Sequence, residues 1–295
     1  MNTRGILCLL AAALLGSGAC QAQSSSPESR SGMAEVREPR LYYETAGKGE
    51  AVVLIHGGGL DSRMWDRQFE AFSRSYRAVR YDVRGFGRSD LPDKPYSDHG
   101  DLGQILDFLK IDRAHLVGLS MGGRIAIDFT LAHPERIRSL VLAGPGLSGF
   151  QFAPESTKRF FEQVRLAQRG DWEKALQAWL TDDYMVPAME QPSLRPGIEK
   201  MARDNLRTLL MNYMLQIDLD PPAAGRLPEI RVPALLIVGG RDVPDIFAIA
   251  KLLQEKLPGI RRRDIPGAGH MVNLEKPGEF NRAVLEFLNG LPRNR

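Results

Sequence analysis

Residues His115 to Gly122 read His-Leu-Val-Gly-Leu-Ser-Met-Gly and give the clearest indication of the fold. An apolar run ends at Leu119, Ser120 follows it, and an amphipathic stretch then begins. This is the strand, sharp turn and helix context that a G-x-S-x-G nucleophile elbow requires. Gly118 and Gly122 flank the serine, and their missing side chains permit a tight, strained turn around an exposed Oγ. The stretch therefore predicts a nucleophilic Ser120 at the end of a strand.

Around this stretch, short apolar runs alternate with helical stretches over the chain beyond residue 40. The predicted strands are Leu41–Thr45, Ala51–Ile55, Arg77–Asp82, His115–Leu119, Ser139–Ala143, Ala234–Val238 and Arg261–Ile265. The predicted helices are Trp65–Phe72, Leu102–Leu109, Gly122–Ala132, Ile246–Lys256 and Pro277–Leu288. Such alternation is typical of an α/β fold, with a mostly parallel sheet and helices on both of its faces.

Residues 150–226 interrupt this alternation. They contain no convincing strand, but aromatic residues recur in them at helical spacings. We therefore predict an inserted helical cap, with the core in two parts, residues 40–149 and 227–295. The cap holds five of the ten methionines, Met185, Met189, Met201, Met211 and Met214. These favour an adaptable apolar pocket, and ordinary packing between cap helices is the alternative.

A glycine-rich loop, His56-Gly57-Gly58-Gly59, directly follows one of the predicted strands. A loop of this kind can turn a backbone N–H group toward a developing oxyanion. We predict that the N–H groups of Gly58 and Met121 form the oxyanion hole, supported by the neighbouring glycines and His56. Phosphate binding is the alternative for a glycine loop. The sequence has neither G-x-x-x-x-G-K-[ST] nor a G-x-G-x-x-G that opens a helix after a strand.

A serine nucleophile needs a general base, and the chain offers five histidines. His56 belongs to the glycine loop, His115 starts a strand, and His133 precedes a proline at a helix end. His99 lies in a polar loop and stays an alternative. His270 follows a Pro-Gly-Ala-Gly loop after the last predicted strand, and such a loop can lean the imidazole over the sheet. We therefore predict His270 as the base.

The acid that orients this base is expected after another strand. Asp242 ends the sequence Gly-Gly-Arg-Asp, which directly follows the buried run ending at Val238. An Asx turn or a helix cap is the alternative role for this aspartate. We predict Asp242 as the catalytic acid, with Asp245 as the alternative residue.

With Ser120, Asp242 and His270 in this order, the chain resembles the α/β-hydrolase family over about residues 40–290. The stretch Asp82–Asp90 is similar to the D-x-R-G-x-G-x-S loop of that family, and we interpret it as mainly architectural. The resemblance implies the α/β-hydrolase fold and neither a metal nor an organic cofactor. Haloalkane dehalogenases and epoxide hydrolases of the family have an aspartate at the elbow, so a serine there implies acyl chemistry.

The main prediction is thus a serine hydrolase that cleaves a small carboxylic ester or a lactone through an acyl-enzyme. Enol-lactonases, carbon-carbon bond hydrolases and cofactor-free perhydrolases of the family share a similar Gly-x-Ser-Met-Gly elbow, and the latter two reactions stay as alternatives. A hydrolase-fold protein that binds a ligand without turnover is the alternative from another class. The presence of Ser120, Asp242, His270 and the glycine loop argues against it.

The charge composition argues against a nucleic acid partner. The 295 residues include 39 Lys+Arg and 36 Asp+Glu, a net charge of +3 that is scattered along the chain. The densest basic run, Arg261–Arg263, has no interleaved aromatic residues and is predicted to be a solvated strand or loop face. We therefore expect no nucleic acid partner.

Residues 1–19 have the layout of a secretory signal peptide, with Arg4 before an apolar run from Ile6 to Leu15. That run is too short to span a bilayer. The chain has two cysteines, Cys8 and Cys20, so the segment beyond residue 20 has no thiol for a disulfide, a zinc cluster or a nucleophile.

The small residues directly before Cys20 resemble the lipobox of bacterial lipoproteins. The resemblance implies a lipid on Cys20 that anchors an exported protein in the bacterial cell envelope. The family prefers Leu where Ser17 stands here, so ordinary cleavage near Ala22 and a periplasmic or secreted protein is the alternative. Residues 20–39 are polar and are predicted to form a flexible linker.

Overall fold

The computed structural model describes residues 29–35, 40–211 and 213–292. Its centre is an eight-stranded sheet with the order β1-β2-β4-β3-β5-β6-β7-β8. The strands are β1 (Ser29–Glu35), β2 (Arg40–Ala46), β3 (Ala51–Ile55), β4 (Arg77–Tyr81), β5 (Ala114–Leu119), β6 (Ile137–Ala143), β7 (Ala234–Gly239) and β8 (Arg261–Ile265). The pairs β1–β2 and β2–β4 are antiparallel, and the other five pairs are parallel.

Helices cover both faces of this sheet. They are α1 (Asp66–Phe72), α2 (Asp98–Phe108), α3 (Met121–Ala132), α4 (Pro154–Gln168), α5 (Trp172–Leu180), α6 (Val186–Met189), α7 (Arg195–Met211), α8 (Pro244–Lys256), α9 (Val272–Glu275) and α10 (Pro277–Asn289). Along β3, Val53 and Ile55 pack in the core beside α2, α3 and α8, whereas Val52 and Leu54 pack in the core beside α1 and α10. This alternation confirms a strand buried on both faces.

The predicted α/β fold with an inserted helical cap is therefore confirmed. The strands β3 and β8 have the predicted bounds, and most other elements differ by one or two residues. Helix α2 begins four residues before its predicted start. The Ser97 side chain accepts a hydrogen bond from the N–H of Gly100, and acidic residues follow in the first turn, so this end is well capped.

The cap consists of helices α4 to α7, between β6 and β7. Its aromatic and aliphatic side chains, including Trp179 and Ile198, join the core on the α1 and α10 side of the sheet. An isolated bridge between Tyr96 and Gln216 ties the end of the cap to a core loop. Among the described residues, no helix is both long enough and apolar enough to cross a membrane.

The linker prediction is wrong for residues 29–35. They form β1, which pairs antiparallel with β2 from Ser29 opposite Ala46 to Glu35 opposite Arg40. Main-chain hydrogen bonds to β2 hold this edge strand, and they need no apolar side chains; Ala34 is the buried residue of the strand. The rest of the linker prediction, the signal peptide and Cys20 lie outside the described residues and stay predictions.

At the opposite edge of the sheet, the arginines of β8 are exposed as predicted. Arg262 pairs with Asp264, and Arg263 pairs with Glu286 of α10. The basic run is thus a solvated strand face whose charges are partly matched by local carboxylates.

Candidate active site

Ser120 occupies a strained turn between β5 and α3, with φ 54° and ψ −114°. A Cβ atom on Gly118 would lie 2.2 Å from the carbonyl oxygen of Gly122. A Cβ atom on Gly122 would lie 2.1 Å from the carbonyl oxygen of Ile55. Because atoms cannot approach so closely, both positions require glycine. The structure thus shows the sharp turn that the sequence motif predicts.

Main-chain hydrogen bonds fix this turn against the next strand. The Ser120 N–H donates to the Ala143 carbonyl at the end of β6, at 3.0 Å. The Ser120 carbonyl accepts from the N–H groups of Gly146, at 2.9 Å, and Arg124, at 3.1 Å. The backbone of the turn is therefore held from both sides.

His270 and Asp242 form a buried pair on the loops after β8 and β7. His270 Nδ1 donates to Asp242 Oδ1 at 3.0 Å and lies 3.2 Å from Oδ2. The carboxylate also accepts from the N–H of Val243 at 2.8 Å, and Arg241 N–H donates to the Ala268 carbonyl at 2.8 Å. Because the proton on Nδ1 faces the carboxylate, Nε2 is left as the basic nitrogen. The predicted acid and base are thus brought together.

Gly144, which the sequence analysis missed, makes room for this pair. Its φ is +44°, and a Cβ atom there would lie 3.0 Å from Asp242 Oδ2 and 3.1 Å from His270 Nδ1. The Gly-Pro-Gly sequence that follows β6 is the signal that points to it. A side chain at this position would displace Asp242 and His270.

Ser120 and His270 line one cavity of about 390 Å³. Within the described part of the chain, no hydrogen bond joins Ser120 Oγ to His270. Contacts between a nucleophile and its base are often long in unliganded enzymes and shorten when substrate binds. The shared cavity places both groups where one substrate can reach them.

The other four histidines make contacts away from Asp242. His56 is buried, accepts from the Val83 N–H at Nε2 and donates from Nδ1 to the Gly57 carbonyl, both at 2.9 Å. It therefore ties the glycine loop to the segment that follows β4. Separately, His99 contacts Ser97, His115 contacts Ser139, and His133 is half exposed near Glu135. Across the residues that the structure describes, no cluster of His, Cys, Asp and Glu is arranged to hold a metal ion.

The glycine loop lies beside the elbow. Gly58 and Met121 both line the cavity. Met121 is the first residue of α3, so its N–H has no acceptor within the helix. Gly59 has φ +74°, and a Cβ atom there would lie 2.7 Å from Trp179 Cζ2 of the cap. The two predicted oxyanion donors are therefore at the cavity, and the loop that carries one of them packs against the cap.

The cap supplies the outer wall of the cavity, and sequence reasoning did not single out its contact with the base. The ring of Tyr184 packs edge to face on His270, with 4.7 Å between centroids and an interplanar angle of 74°. Burial, together with the charges of Asp245, Asp242 and Asp182, raises the pKa of Tyr184. Its phenol therefore stays protonated at neutral pH.

Glu275 is a second residue that sequence reasoning missed. Its Oε2 accepts from the N–H of Gly269, directly before His270, at 2.8 Å. Burial raises the pKa of Glu275. The carboxyl group thus holds the loop that carries His270, and only the folded chain shows this contact.

Comparisons with known proteins extend these observations. A profile of the Alpha/beta hydrolase family matches residues 52–283. A 2-hydroxy-6-oxononadienedioate/2-hydroxy-6-oxononatrienedioate hydrolase of Burkholderia vietnamiensis is 33% identical over 270 residues, which cover 85% of this chain and 91% of that protein. Carboxylesterase YbfK of Bacillus subtilis is 28% identical over 249 residues, 81% of this chain and 80% of that protein. The crystal structure of the enol-lactonase from Burkholderia xenovorans LB400 superposes with a TM-score of 0.75 and 28% identity, covering 88% of this chain and 100% of that one.

Proposed function

The chain belongs to the alpha/beta hydrolase family, and we propose that it is a serine hydrolase that cleaves a carboxylic ester or a lactone. One observation carries the proposal. His270, which is paired with the buried Asp242, lines the same cavity as Ser120, and Ser120 stands on a strained turn beside two candidate oxyanion donors. Each group that acyl transfer requires is therefore within one site.

In the acylation step, the substrate carbonyl lies between Ser120 Oγ and the N–H groups of Gly58 and Met121. His270 Nε2 removes the hydroxyl proton as Oγ attacks the carbonyl carbon, and Asp242 stabilises the imidazolium that forms. The two N–H groups donate to the tetrahedral oxyanion, and each such donor contributes roughly 3 to 4 kcal/mol to transition-state stabilisation.

Collapse of this intermediate breaks the bond between the carbonyl carbon and the alcohol oxygen. His270 gives its proton to the leaving oxygen, and the acyl group stays on Ser120. A water molecule then gives a proton to His270 and attacks the acyl carbon. The second collapse releases the acid and returns the proton to Ser120. Substrate, water and these side chains thus account for every proton and electron pair.

The relatives support ester or lactone chemistry, since one is a carboxylesterase and a structural neighbour is an enol-lactonase. Hydrolysis of a carbon-carbon bond is the second candidate. It is favoured by the sequence relatives, because hydrolases of 2-hydroxy-6-oxo dienoates are among them at 30 to 33% identity. The same three side chains would serve that reaction.

A fluorophosphonate probe, read by intact-protein mass spectrometry on the full-length protein, tests the nucleophile. We expect one adduct on the wild type and none on Ser120→Ala or His270→Ala. Ser156→Ala is the matched control, because Ser156 lines the same cavity from the cap, and we expect it to be labelled. A folded wild type that resists labelling, or a labelled Ser120→Ala, would contradict the proposal.

A substrate panel then separates the two candidates. Esters, lactones and 2-hydroxy-6-oxo dienoates are compared by kcat/KM with the labelled enzyme. Preference for esters or lactones supports the proposal, and preference for the dienoates supports carbon-carbon bond hydrolysis.

From the sequence alone we also propose that the protein is exported and lipid-anchored at Cys20. The mass of the protein purified from bacterial membranes tests this. Cleavage directly before Cys20 with an added diacylglyceryl mass is expected, and a Cys20→Ser variant is expected to lose the added mass. An unmodified protein cut near Ala22 would show ordinary secretion instead.

A further inference from the structure

Two charged side chains, Arg124 and Asp182, line the cavity beside His270. Arg124 extends from the first turns of α3, one turn after Ser120, and Asp182 follows α5 in the cap. Both therefore lie where a bound substrate would meet their charge. The net charge that a substrate meets there depends on the groups that surround each of these two side chains.

Carboxylates surround Arg124. Its Nη2 lies 2.7 Å from Asp98, and its Nη1 lies 3.2 Å from Asp218 and 3.5 Å from Asp128. Burial raises the pKa of Asp128 to about 6, so this group is ionised at pH 8. Burial also raises the pKa of Asp98. Even with Asp98 protonated, two carboxylates outnumber one guanidinium.

The same imbalance occurs on the cap. Asp182 accepts hydrogen bonds from Arg159 Nε at 3.1 Å, the Tyr184 N–H at 3.2 Å and Gln163 Nε2 at 3.3 Å. Arg159 also pairs with Asp183 at 3.4 Å, so one guanidinium serves two carboxylates. The cap wall therefore carries net negative charge as well.

We propose that this cavity selects esters or lactones whose acyl and alcohol parts carry no negative charge, and that it rejects substrates bearing a carboxylate. This inference rests on the proposed function. Arg124 offers no unmatched positive charge, because the protein's own carboxylates already surround it. The remaining wall is largely aromatic and aliphatic, with Phe160, Trp179 and Leu209 among its residues. A neutral, apolar acyl group of moderate size fits this wall.

Three 4-nitrophenyl esters of equal chain length test the selection on the full-length enzyme at pH 8. They are the pentanoate, which is apolar, the glutaramate, which is polar and neutral, and the glutarate, which carries a carboxylate. Like charges repel strongly in a partly buried site, so we expect kcat/KM for the glutarate to be at least about 30-fold below that for the glutaramate. The glutaramate controls for polarity.

Two variants assign the effect to the cavity wall. Asp182→Asn and the exposed Asp218→Asn each remove one negative charge, and we expect each to raise the ratio of glutarate to glutaramate kcat/KM by about 3-fold to 10-fold. Asp107→Asn is the matched control. This exposed residue pairs with Arg136 and lies about 13 Å from Asp98 along α2. The ratio of glutarate to glutaramate kcat/KM in this variant is therefore expected to match that of the wild type.

The outcomes separate this inference from the proposed function. Hydrolysis of the glutarate within threefold of the glutaramate would overturn charge selection while leaving a serine esterase in place. If Asp182→Asn and Asp218→Asn keep the wild-type ratio of glutarate to glutaramate kcat/KM, as the control Asp107→Asn is expected to do, then other groups cause the discrimination. That result would also overturn charge selection by the cavity wall. If the folded enzyme hydrolyses none of the three esters and also fails to react with the fluorophosphonate probe, the proposed function and this inference both fail.

Discussion

The core and the cap contribute to the cavity in different ways. The core presents Ser120, Asp242 and His270 on loops at the carboxyl ends of β5, β7 and β8, where neighbouring strands hold the backbone. The cap presents wall residues such as Tyr184 and Asp182, placed by side-chain packing and hydrogen bonds. The sheet thus fixes the groups proposed to react, whereas side-chain packing of an inserted segment shapes what can approach them.

The two regions are nevertheless joined by buried polar contacts. Asn205 of α7 donates to Asp61 Oδ2 of the core at 2.7 Å. Thr208 Oγ1 donates to the Gly85 carbonyl at 2.6 Å. Because such buried hydrogen bonds are costly to leave unmade, they fix the cap over the strand ends.

The largest effect is expected in the core, for Asp242→Asn. Loss of the carboxylate leaves the imidazole in the wrong tautomer, so kcat for 4-nitrophenyl pentanoate is expected to fall about 10⁴-fold. Asp245→Asn is the matched change, since Asp245 instead accepts from the N–H of Ala153 at the start of the cap. Its kcat is expected to fall less than about tenfold. Equal losses would mean that Asp242 has no special role.

Glycine-to-alanine substitutions compare how closely atoms pack around the backbone in the core and in the cap. Gly122→Ala would place a Cβ atom 2.1 Å from a carbonyl oxygen of β3, and we expect the free energy of unfolding to fall by about 3 kcal/mol. At Gly197 in cap helix α7, a Cβ atom meets no neighbour within 4 Å. Gly197→Ala is therefore expected to raise stability by about 0.5 to 1 kcal/mol. Urea unfolding measures both, and a stable Gly122→Ala would refute the close approach at the elbow.

Asp128 tests a buried charge of the core, on helix α3. It accepts from Ser148 Oγ at 2.6 Å, and burial raises its pKa to about 6. The folded state therefore favours the protonated form, so this group's contribution to stability falls as pH rises from about 4 to 6. Asp128→Asn removes the cost of ionising this buried carboxyl group. The free energy of unfolding of the variant, relative to that of the wild type, is therefore expected to increase by about 2 to 3 kcal/mol between pH 4 and pH 8.

Urea unfolding at several pH values measures this difference. Asp107→Asn is the control for the general effect of removing a carboxylate, since it is exposed and its change is expected to stay within about 0.5 kcal/mol. A pH-independent difference for Asp128→Asn would contradict a raised pKa in the folded state.

The smallest effect is expected for the cap residue that contacts the base. Edge-to-face ring contacts contribute roughly 0.5 to 1.5 kcal/mol, so Tyr184→Leu is expected to lower kcat about tenfold or less. Tyr184→Phe keeps the ring and is expected to stay within about threefold of the wild type. Steady-state kinetics separate the roles: loss of kcat indicates that Tyr184 positions His270, and a rise in KM alone indicates only a wall contact.

Much of the core could be predicted because its signals are local. The apolar run Ala51–Ile55 by itself predicts a buried strand, and the glycines around Ser120 by themselves predict a tight turn. The edge strand Ser29–Glu35 could not be predicted, because main-chain pairing with β2 holds it and its side chains are mostly polar. Residues such as Gly144 and Glu275 were missed for a similar reason, since their neighbours at the site come from other strands and loops.

From its sequence alone, the chain determines the order of its strands and helices and the candidates Ser120, Asp242 and His270, because periodicity, turn chemistry and chain order are local properties. The tertiary structure alone decides that Asp242 meets His270 and that carboxylates surround Arg124. Electrostatic and packing contacts depend on distance in space rather than on separation along the chain. Residues far apart in the chain meet only when the sheet and the cap have formed.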